Sequence, residues 1–260
     1  MKKRLESIRD KLLPAGTFCL LLLIWWGISA AGLIPEYMLP SPLDVVRAFI
    51  QDFPNLMAHA LVSVEEALAG LLIGTLLAFG LACAMDRFLP LEKAVLPLLV
   101  VTQTIPTIAI APLLVLWMGF GVAPKIALVV ITTFFPIAVG LLDGFKSADR
   151  DAVSLLRSMN ATRWQIFRHV KFPAALPYFF SGLKISASYA VVGAVISEWL
   201  GGFEGLGVYM TRVRKAYAFD KMFAVIILVV IVSLLLMRLV NLLRTVSMPW
   251  LRKQPDLKKQ

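Results

Sequence analysis

Long apolar runs alternate with short polar ones along this chain. A helix needs roughly 17–25 mainly apolar residues to cross a bilayer, and six runs meet that length: about residues 15–34, 60–85, 91–118, 124–142, 174–200 and 222–246. They predict an all-α membrane protein with six transmembrane helices, because in hydrocarbon the backbone must satisfy its own hydrogen bonds. The third run is broken by Pro97, Pro106 and Pro112. Each proline removes a donor, and the freed carbonyls are tolerated at membrane depth only where protein or a water-filled cavity meets them. The fourth run starts at Pro124, a favourable first-turn residue, and contains Pro136. Between the first two runs, residues 35–59 read as an external loop that turns at Leu39-Pro40-Ser41-Pro42. Within it a short amphipathic helix is expected over Val45–Phe53, its apolar face made by Val46, Phe49, Ile50 and Phe53.

Composition sharpens this picture. Of 260 residues 59% are hydrophobic and 16% charged, against about 45–50% and about 25% in soluble domains, which excludes a soluble enzyme. The net charge of +10 suits either nucleic acid or an anionic membrane face, and the apolar runs select the membrane, with no nucleic-acid partner. Orientation follows from where the cations lie. Lys2, Lys3, Arg4, Arg9 and Lys11 precede the first run, Lys146, Arg150, Arg157, Arg163, Arg168 and Lys171 fill the segment 143–173, and six more follow from Arg238 on. With Arg87 and Lys93 they place nineteen of the 26 Lys and Arg inside when both termini are cytoplasmic. Arg212, Arg214, Lys215 and Lys221 remain outside as exceptions.

The chain then divides into a cytoplasmic N-terminal segment (1–14), a first span with its external loop (15–59), a core (60–246) carrying the cytoplasmic loop 143–173, and a basic tail (247–260). The basic start, apolar run and small residues Ser29-Ala30-Ala31 imitate a secretory signal, but the run exceeds the roughly 7–15 residues of a signal core. Cys19 and Cys83 stand alone in apolar runs and read as packing residues, and His59 and His169 have no companions that would make a metal site.

The 143–173 segment has a pattern of its own. Ser147 and Asp149 offer N-cap oxygens, Asp151 places charge at a helix start, and Val153, Leu156 and Met159 recur near helical spacing. Asn160 is suited to the left-handed position past a helix end. Thr162-Arg163-Trp164-Gln165 matches a capping box opening a second short helix that ends before Pro173. The product is a helix–turn–helix presenting Leu155, Met159, Ala161 and Trp164 among cations. On chemistry alone it serves equally to dock a protein or to rest on anionic lipid.

The run Ser154-Leu155-Leu156-Arg157-Ser158-Met159-Asn160-Ala161-Thr162-Arg163-Trp164, with Val170-Lys171-Phe172-Pro173, resembles the cytoplasmic "EAA" signature of permease subunits of binding-protein-dependent ABC importers. Aligned on Pro173, the family's glycine falls on Asn160, its isoleucine and leucine on Val170 and Phe172, and its Glu-Ala-Ala on Ser154, Leu155 and Leu156. The leading half therefore departs from the pattern, with Asp151 one turn earlier as a substitute acid. The resemblance runs through roughly residues 60–250. It includes Gln103-Thr104-Ile105-Pro106, Ala111-Pro112-Leu113, Trp117-Met118-Gly119-Phe120-Gly121, Phe134-Phe135-Pro136 and Gly201-Gly202-Phe203-Glu204-Gly205-Leu206-Gly207, and it points to the nitrate, sulfonate and taurine branch, which also imports a thiamine pyrimidine precursor.

The resemblance implies a type I importer permease fold in a prokaryotic cytoplasmic membrane. It implies a homodimer with two copies of a separate ATPase subunit and an external substrate-binding protein, moving a small polar organic solute inward by alternating access. Residues Asp151, Ser154, Leu155, Leu156, Met159, Asn160, Ala161, Thr162, Trp164 and Pro173 become the expected ATPase-coupling set. The stretch Ser197–Lys221 is most similar to the pyrimidine-precursor importers, with sulfonate, taurine or nitrate as the alternative. No cofactor is expected, and no phosphate-binding loop is present: Gly140 to Ser147 has the wrong spacing.

Polar residues at membrane depth are costly unless they face protein or water, so they are candidates for the translocation pathway. These are Gln103 and Thr104 before Pro106, and Ser186, Ser188, Tyr189 and Glu198 on the fifth run, with Glu198 able to meet the 212–215 cations or solute. Glu65 and Glu66 read as interfacial, Lys184 as the one buried cation, and Trp25 and Trp26 as packing. A membrane-embedded enzyme would need a convergent Ser/His, paired-Asp or metal-ligand set, and a channel or secondary carrier would be expected to show repeats. The sequence displays neither.

Overall fold

A computed structural model of the protein describes residues 2–250, with the side chains of 2–12 and Ala15 outside that description. The basic tail from residue 251, and the N-terminal cations as side chains, therefore lie outside the described residues. The described chain is helical throughout: α1 (Lys2–Ala30), α2 (Pro42–Gln51), α3 (Phe53–Arg87), α4 (Leu89–Thr102), α5 (Thr107–Met118), α6 (Val122–Lys146), α7 (Arg150–Ser158), α8 (Arg163–Ile166), a π-helical turn (Phe167–Lys171), α9 (Phe172–Gly201), α10 (Leu206–Lys215) and α11 (Phe219–Ser247). Among the described residues, α3, α6, α11 and the continuous Arg163–Gly201 helix are long and apolar enough to cross a membrane. The α4–α5 pair makes a fifth crossing if counted as one broken span, while Gly16–Ala30 in α1 is a shorter apolar stretch.

The chain forms two compact units, residues 1–59 with 209–228 and residues 60–208 with 229–260. In the first, α1 meets the loop that follows it: the Trp25 indole donates to the Pro40 carbonyl at 3.1 Å and stacks on Phe223, with ring centroids 5.6 Å apart. Ser41 caps α2, whose packed face is Val45 and Ala48. The expected helix is present but runs from Pro42 to Gln51 and packs a different face. Val46 and Ile50 are exposed, and Phe53 opens α3 instead, so the weak apolar spacing marked the face left uncovered.

The second unit is a bundle in which α6 and α9 are the central pair. Small residues let the backbones meet, the usual device where lipid removes the hydrophobic drive between helices. A Cβ at Gly144 would lie 2.7 Å from the Ala175 Cα, one at Gly182 would strike the Pro136 carbonyl oxygen, and one at Gly70 would lie 2.5 Å from the Val129 side chain. Ser186 is fully buried and donates to the Thr133 carbonyl at 2.7 Å, a helix-to-helix bond between α9 and α6. The broken third run is observed as such: α4 and α5 meet at 101° with Pro106 capping α5. Thr102 and Thr104 turn their hydroxyls onto the Leu99 and Val101 carbonyls at 2.7 and 2.8 Å, supplying donors near the break.

Candidate functional site

The segment between α6 and α9 is built almost entirely from local signals. Asp149 caps α7 by accepting the Asp151 amide at 2.8 Å, whereas Ser147 ends α6 and bonds the Gly144 carbonyl, so the expectation that both cap α7 holds only for Asp149. At the other end of α7, Asn160 adopts φ +58°. The Ala161 amide donates back to Leu156 at 2.9 Å and the Asn160 amide to Arg157 at 3.0 Å, the paired bonds of a Schellman closure. Thr162 and Gln165 then form the reciprocal capping box: the Gln165 amide donates to the Thr162 hydroxyl at 3.3 Å, and the Thr162 amide to the Gln165 side-chain carbonyl at 2.7 Å. Three consecutive caps leave the α7–α8 corner few alternative conformations.

The second helix does not stop before Pro173. It passes through the π turn Phe167–Lys171, in which the Phe172 amide reaches the Phe167 carbonyl, and continues as α9. A proline lacks an amide and clashes with the carbonyl four residues back, and one π turn relieves both without ending the helix. The corner is therefore the tip of a 39-residue helix running from Arg163 to Gly201.

The expected coupling residues divide by exposure. Leu155, Met159 and Trp164 are exposed, at 62%, 69% and 65%, and so are Asp151, Ser154, Asn160 and Thr162, while Leu156, Ala161 and Pro173 are half-buried. Trp164 stacks on Phe167 at 5.6 Å, and Phe167 in turn meets the buried Phe145 of α6 at 5.3 Å. Lys171 pairs with Asp86 of α3 at 2.7 Å and Lys146 with Glu92 of α4 at 2.7 Å, tying the loop's ends to neighbouring helices. A cavity of about 1030 Å³ is lined by Arg157, Ala161, Arg163 and Trp164 of the corner together with Phe79, Cys83, Arg87 and Arg168. The Phe167 relay and the Asp86–Lys171 pair were not read from the sequence. Phe167 looked like one more apolar residue, and Asp86 lies 85 positions from its partner.

The pathway candidates differ in exposure. Gln103, Thr104 and Pro106 are exposed at the α4–α5 break; on α9, Tyr189 is exposed, Ser188 half-buried and Ser186 turned into α6. Glu198 is 1% exposed: Ser63 of α3 donates to one carboxyl oxygen at 2.6 Å and the Gly207 amide to the other at 2.6 Å. Glu66, read as interfacial, lies within α3 at 3% exposure and pairs with Lys125 at 2.7 Å, while Glu65 is exposed. Lys125 of α6, at 4% exposure, corrects Lys184 as the buried cation; Lys184 is half-buried. Trp25 packs as expected, whereas Trp26 is exposed.

In the first unit, Asp52 accepts bonds from Tyr209 and from Asn55 at 2.7 Å and pairs with Lys221 at 3.4 Å. Burial opposes its ionisation, but these donors and the Lys221 charge hold its carboxyl below the ordinary carboxylate value. Burial, with Asp52 beside it, pushes the Tyr209 phenol up. Among the described residues no group of His, Cys, Asp and Glu could hold a metal ion.

The sequence profile of the family described as "binding-protein-dependent transport system inner membrane component" matches residues 70–253. The chain is 36% identical over 255 residues to the formylaminopyrimidine transport permease protein of Halalkalibacterium halodurans, covering 98% of this chain and 100% of that protein. It is 28% identical over 257 residues to the taurine transport system permease protein of Escherichia coli, covering 96% and 94%. Its fold is similar to a chain of an amino acid ABC transporter (TM-score 0.63, 16% identity, 75% of this chain and 95% of the other). It is also similar to a chain of the inward-facing MetNI methionine ABC transporter (TM-score 0.60, 20% identity, 75% and 94%).

Proposed function

We propose that this chain, which belongs to the family of binding-protein-dependent transport system inner membrane components, couples ATP hydrolysis in a partner to solute import through its α7–α8 corner. It is an ABC importer permease subunit, a transport rather than an enzymatic component, residing in the inner membrane. The finer reading is a homodimer with two ATPase subunits and an external binding protein. The observation that carries it is the corner itself: a triply capped helix pair exposing Leu155, Met159 and Trp164 and wired through Phe167 to α6. A rigid tip on a long helix transmits a displacement, where a flexible basic loop lying on lipid would absorb it. Asp151, Ser154, Leu156, Asn160, Ala161, Thr162 and Pro173 shape and orient this tip.

The test replaces Ala161 with Glu. The variant is expected to insert into the membrane, lose co-purification with the ATPase and lose uptake; unchanged co-purification overturns the docking assignment.

Solute, in this reading, passes beside the α4–α5 break, where Gln103, Thr104 and Pro106 open backbone and side chain, and along the Ser188 and Tyr189 face of α9, with Ser186 and Glu198 supporting that face from within the bundle. The substrate proposed is a thiamine pyrimidine precursor. What supports it is the 36% identity along 98% of the chain to a permease named for formylaminopyrimidine, against 28% to one named for taurine. Mass spectrometry of ligand carried by the cognate external binding protein decides it: an aminopyrimidine supports the reading, and a sulfonate, taurine or nitrate removes it.

A further inference from the structure

One face of α3 changes character over its last turns. Phe79, Cys83, Asp86 and Arg87 stand at helical spacing and share that face, apolar two turns before the helix ends and charged at its end. α3 is itself long and apolar enough to cross a membrane, so its charged end marks the level at which the chain leaves the bilayer. These four residues line the cavity of about 1030 Å³ whose remaining lining runs from Arg157 of α7 to Phe172 at the start of α9. Phe172 meets Phe79 edge to face, with ring centroids 6.2 Å apart, and Lys171 beside it pairs with Asp86 at 2.7 Å. A space of that volume is the size of a ligand site, far larger than the gaps left by packing.

The charge around the cavity is unbalanced. Arg87, Arg157, Arg163, Arg168 and Lys171 line it with a single carboxylate, Asp86, which is already paired with Lys171. Among the described residues no carboxylate lies within ion-pair distance of any of the four arginines, and Arg87 lies over the Phe88 ring at 5.4 Å. Guanidiniums gathered around one space repel unless an anion sits among them, and their planar fork matches phosphate oxygens. Phe79, Cys83, Phe167 and Phe172 in the same lining decide which anion. A free phosphate would leave them against water and charge. A phospholipid instead sets its phosphate at the level where α3 ends and its first acyl carbons against apolar side chains.

We propose that this cavity binds the headgroup of an anionic phospholipid, its phosphate held by the four arginines and its glycerol and first acyl carbons by the apolar lining. The site is separate from the exposed tip of the corner: Leu155 and Met159 do not line it, which leaves them free for a protein partner. Trp164 and Phe167, stacked at 5.6 Å, do line it, and Phe167 also meets Phe145 of α6. A bound headgroup therefore braces the aromatic stack that ties the corner to the bundle.

The test is native mass spectrometry of the purified full chain in detergent, titrated with dioleoylphosphatidylglycerol, dioleoylphosphatidylcholine and inorganic phosphate. The wild type is expected to bind the phosphatidylglycerol about tenfold more tightly than the phosphatidylcholine, and millimolar phosphate is expected not to displace it. Arg163→Gln with Arg168→Gln is expected to lose that preference. Arg212→Gln with Arg214→Gln, which removes the same two charges from exposed positions on α10, is expected to keep it. Equal affinity of the wild type for the two lipids overturns the proposal without recourse to any variant. It is overturned equally by a preference that survives in the Arg163 and Arg168 variant, or by one lost in both double variants, which marks general charge attraction. Displacement by phosphate would mark a soluble-anion site, and displacement by a co-purifying ATPase a protein occupant; either removes the lipid. Lipid binding by the chain alone depends neither on ATPase docking nor on the solute, so it stands or falls separately from the coupling assignment.

Discussion

Asn160 is the residue on which the coupling corner turns. At φ +58° a side chain pays about 1–2 kcal/mol unless it is Gly, or Asn with its short polar group. Asn160→Gly is therefore expected to leave ATPase co-purification and uptake near wild type. Asn160→Val is expected to loosen the corner by at least that amount, read as faster proteolysis at residues 157–163 and weaker co-purification. A second residue-scale prediction concerns Asp52. Its folded-state value lies below the ordinary one, so its contribution to stability is complete above the ordinary carboxylate range and is lost as pH falls through the lowered value. Melting temperature should fall on acidification with a component absent from Asp52→Asn; superimposable pH profiles would remove this contribution.

Helices and their junctions show why some features could be read from the sequence and others could not. The caps at Asp149, Asn160 and Thr162 were legible because each bonds within a few positions of itself. The α4–α5 break was legible because proline acts on its own backbone. The π turn was missed because the sequence shows that Pro173 needs relief but not which form it takes. The Lys125–Glu66 pair was missed because its partners lie 59 positions apart, and hydropathy reads a lysine near a span's end as interfacial. The glycine seams are non-local in the same way, and they set the next prediction. A Cβ at Gly182 runs into the Pro136 backbone, which cannot yield as a flexible side chain would. Gly182→Val is expected to cost more than the roughly 1–3 kcal/mol of ordinary overpacking, seen as loss of the monodisperse detergent-solubilised species. Gly80→Val meets open space and is expected to behave as wild type.

At the scale of the whole molecule, the polar segments sort to the two sides of the membrane. The cation count predicts 143–173 inside, with Arg212, Arg214, Lys215 and Lys221 as outside exceptions. One of them is accounted for locally, since Lys221 pairs with Asp52. That pair also links the two segments expected outside: Asp52 closes the loop after α1, and Tyr209 and Lys221 flank the basic stretch after α9. Segments bonded in one compact unit cannot lie on opposite faces of a bilayer, so 35–59 and 209–221 share a side whatever the span count. The continuous helix from Arg163 to Gly201, long and apolar enough to cross a membrane once, lies between 209–221 and the loop at Ser158, which predicts opposite sides for the two. Single cysteines introduced at Ser158 and Thr211, in a chain with Cys19 and Cys83 replaced, are expected to react with an impermeant thiol reagent from opposite faces. Thr211 should be labelled in intact cells and Ser158 only after permeabilisation. Labelling of both from the same face would refute the crossing by α9 and, with it, the placement of the α7–α8 corner within reach of a cytoplasmic ATPase.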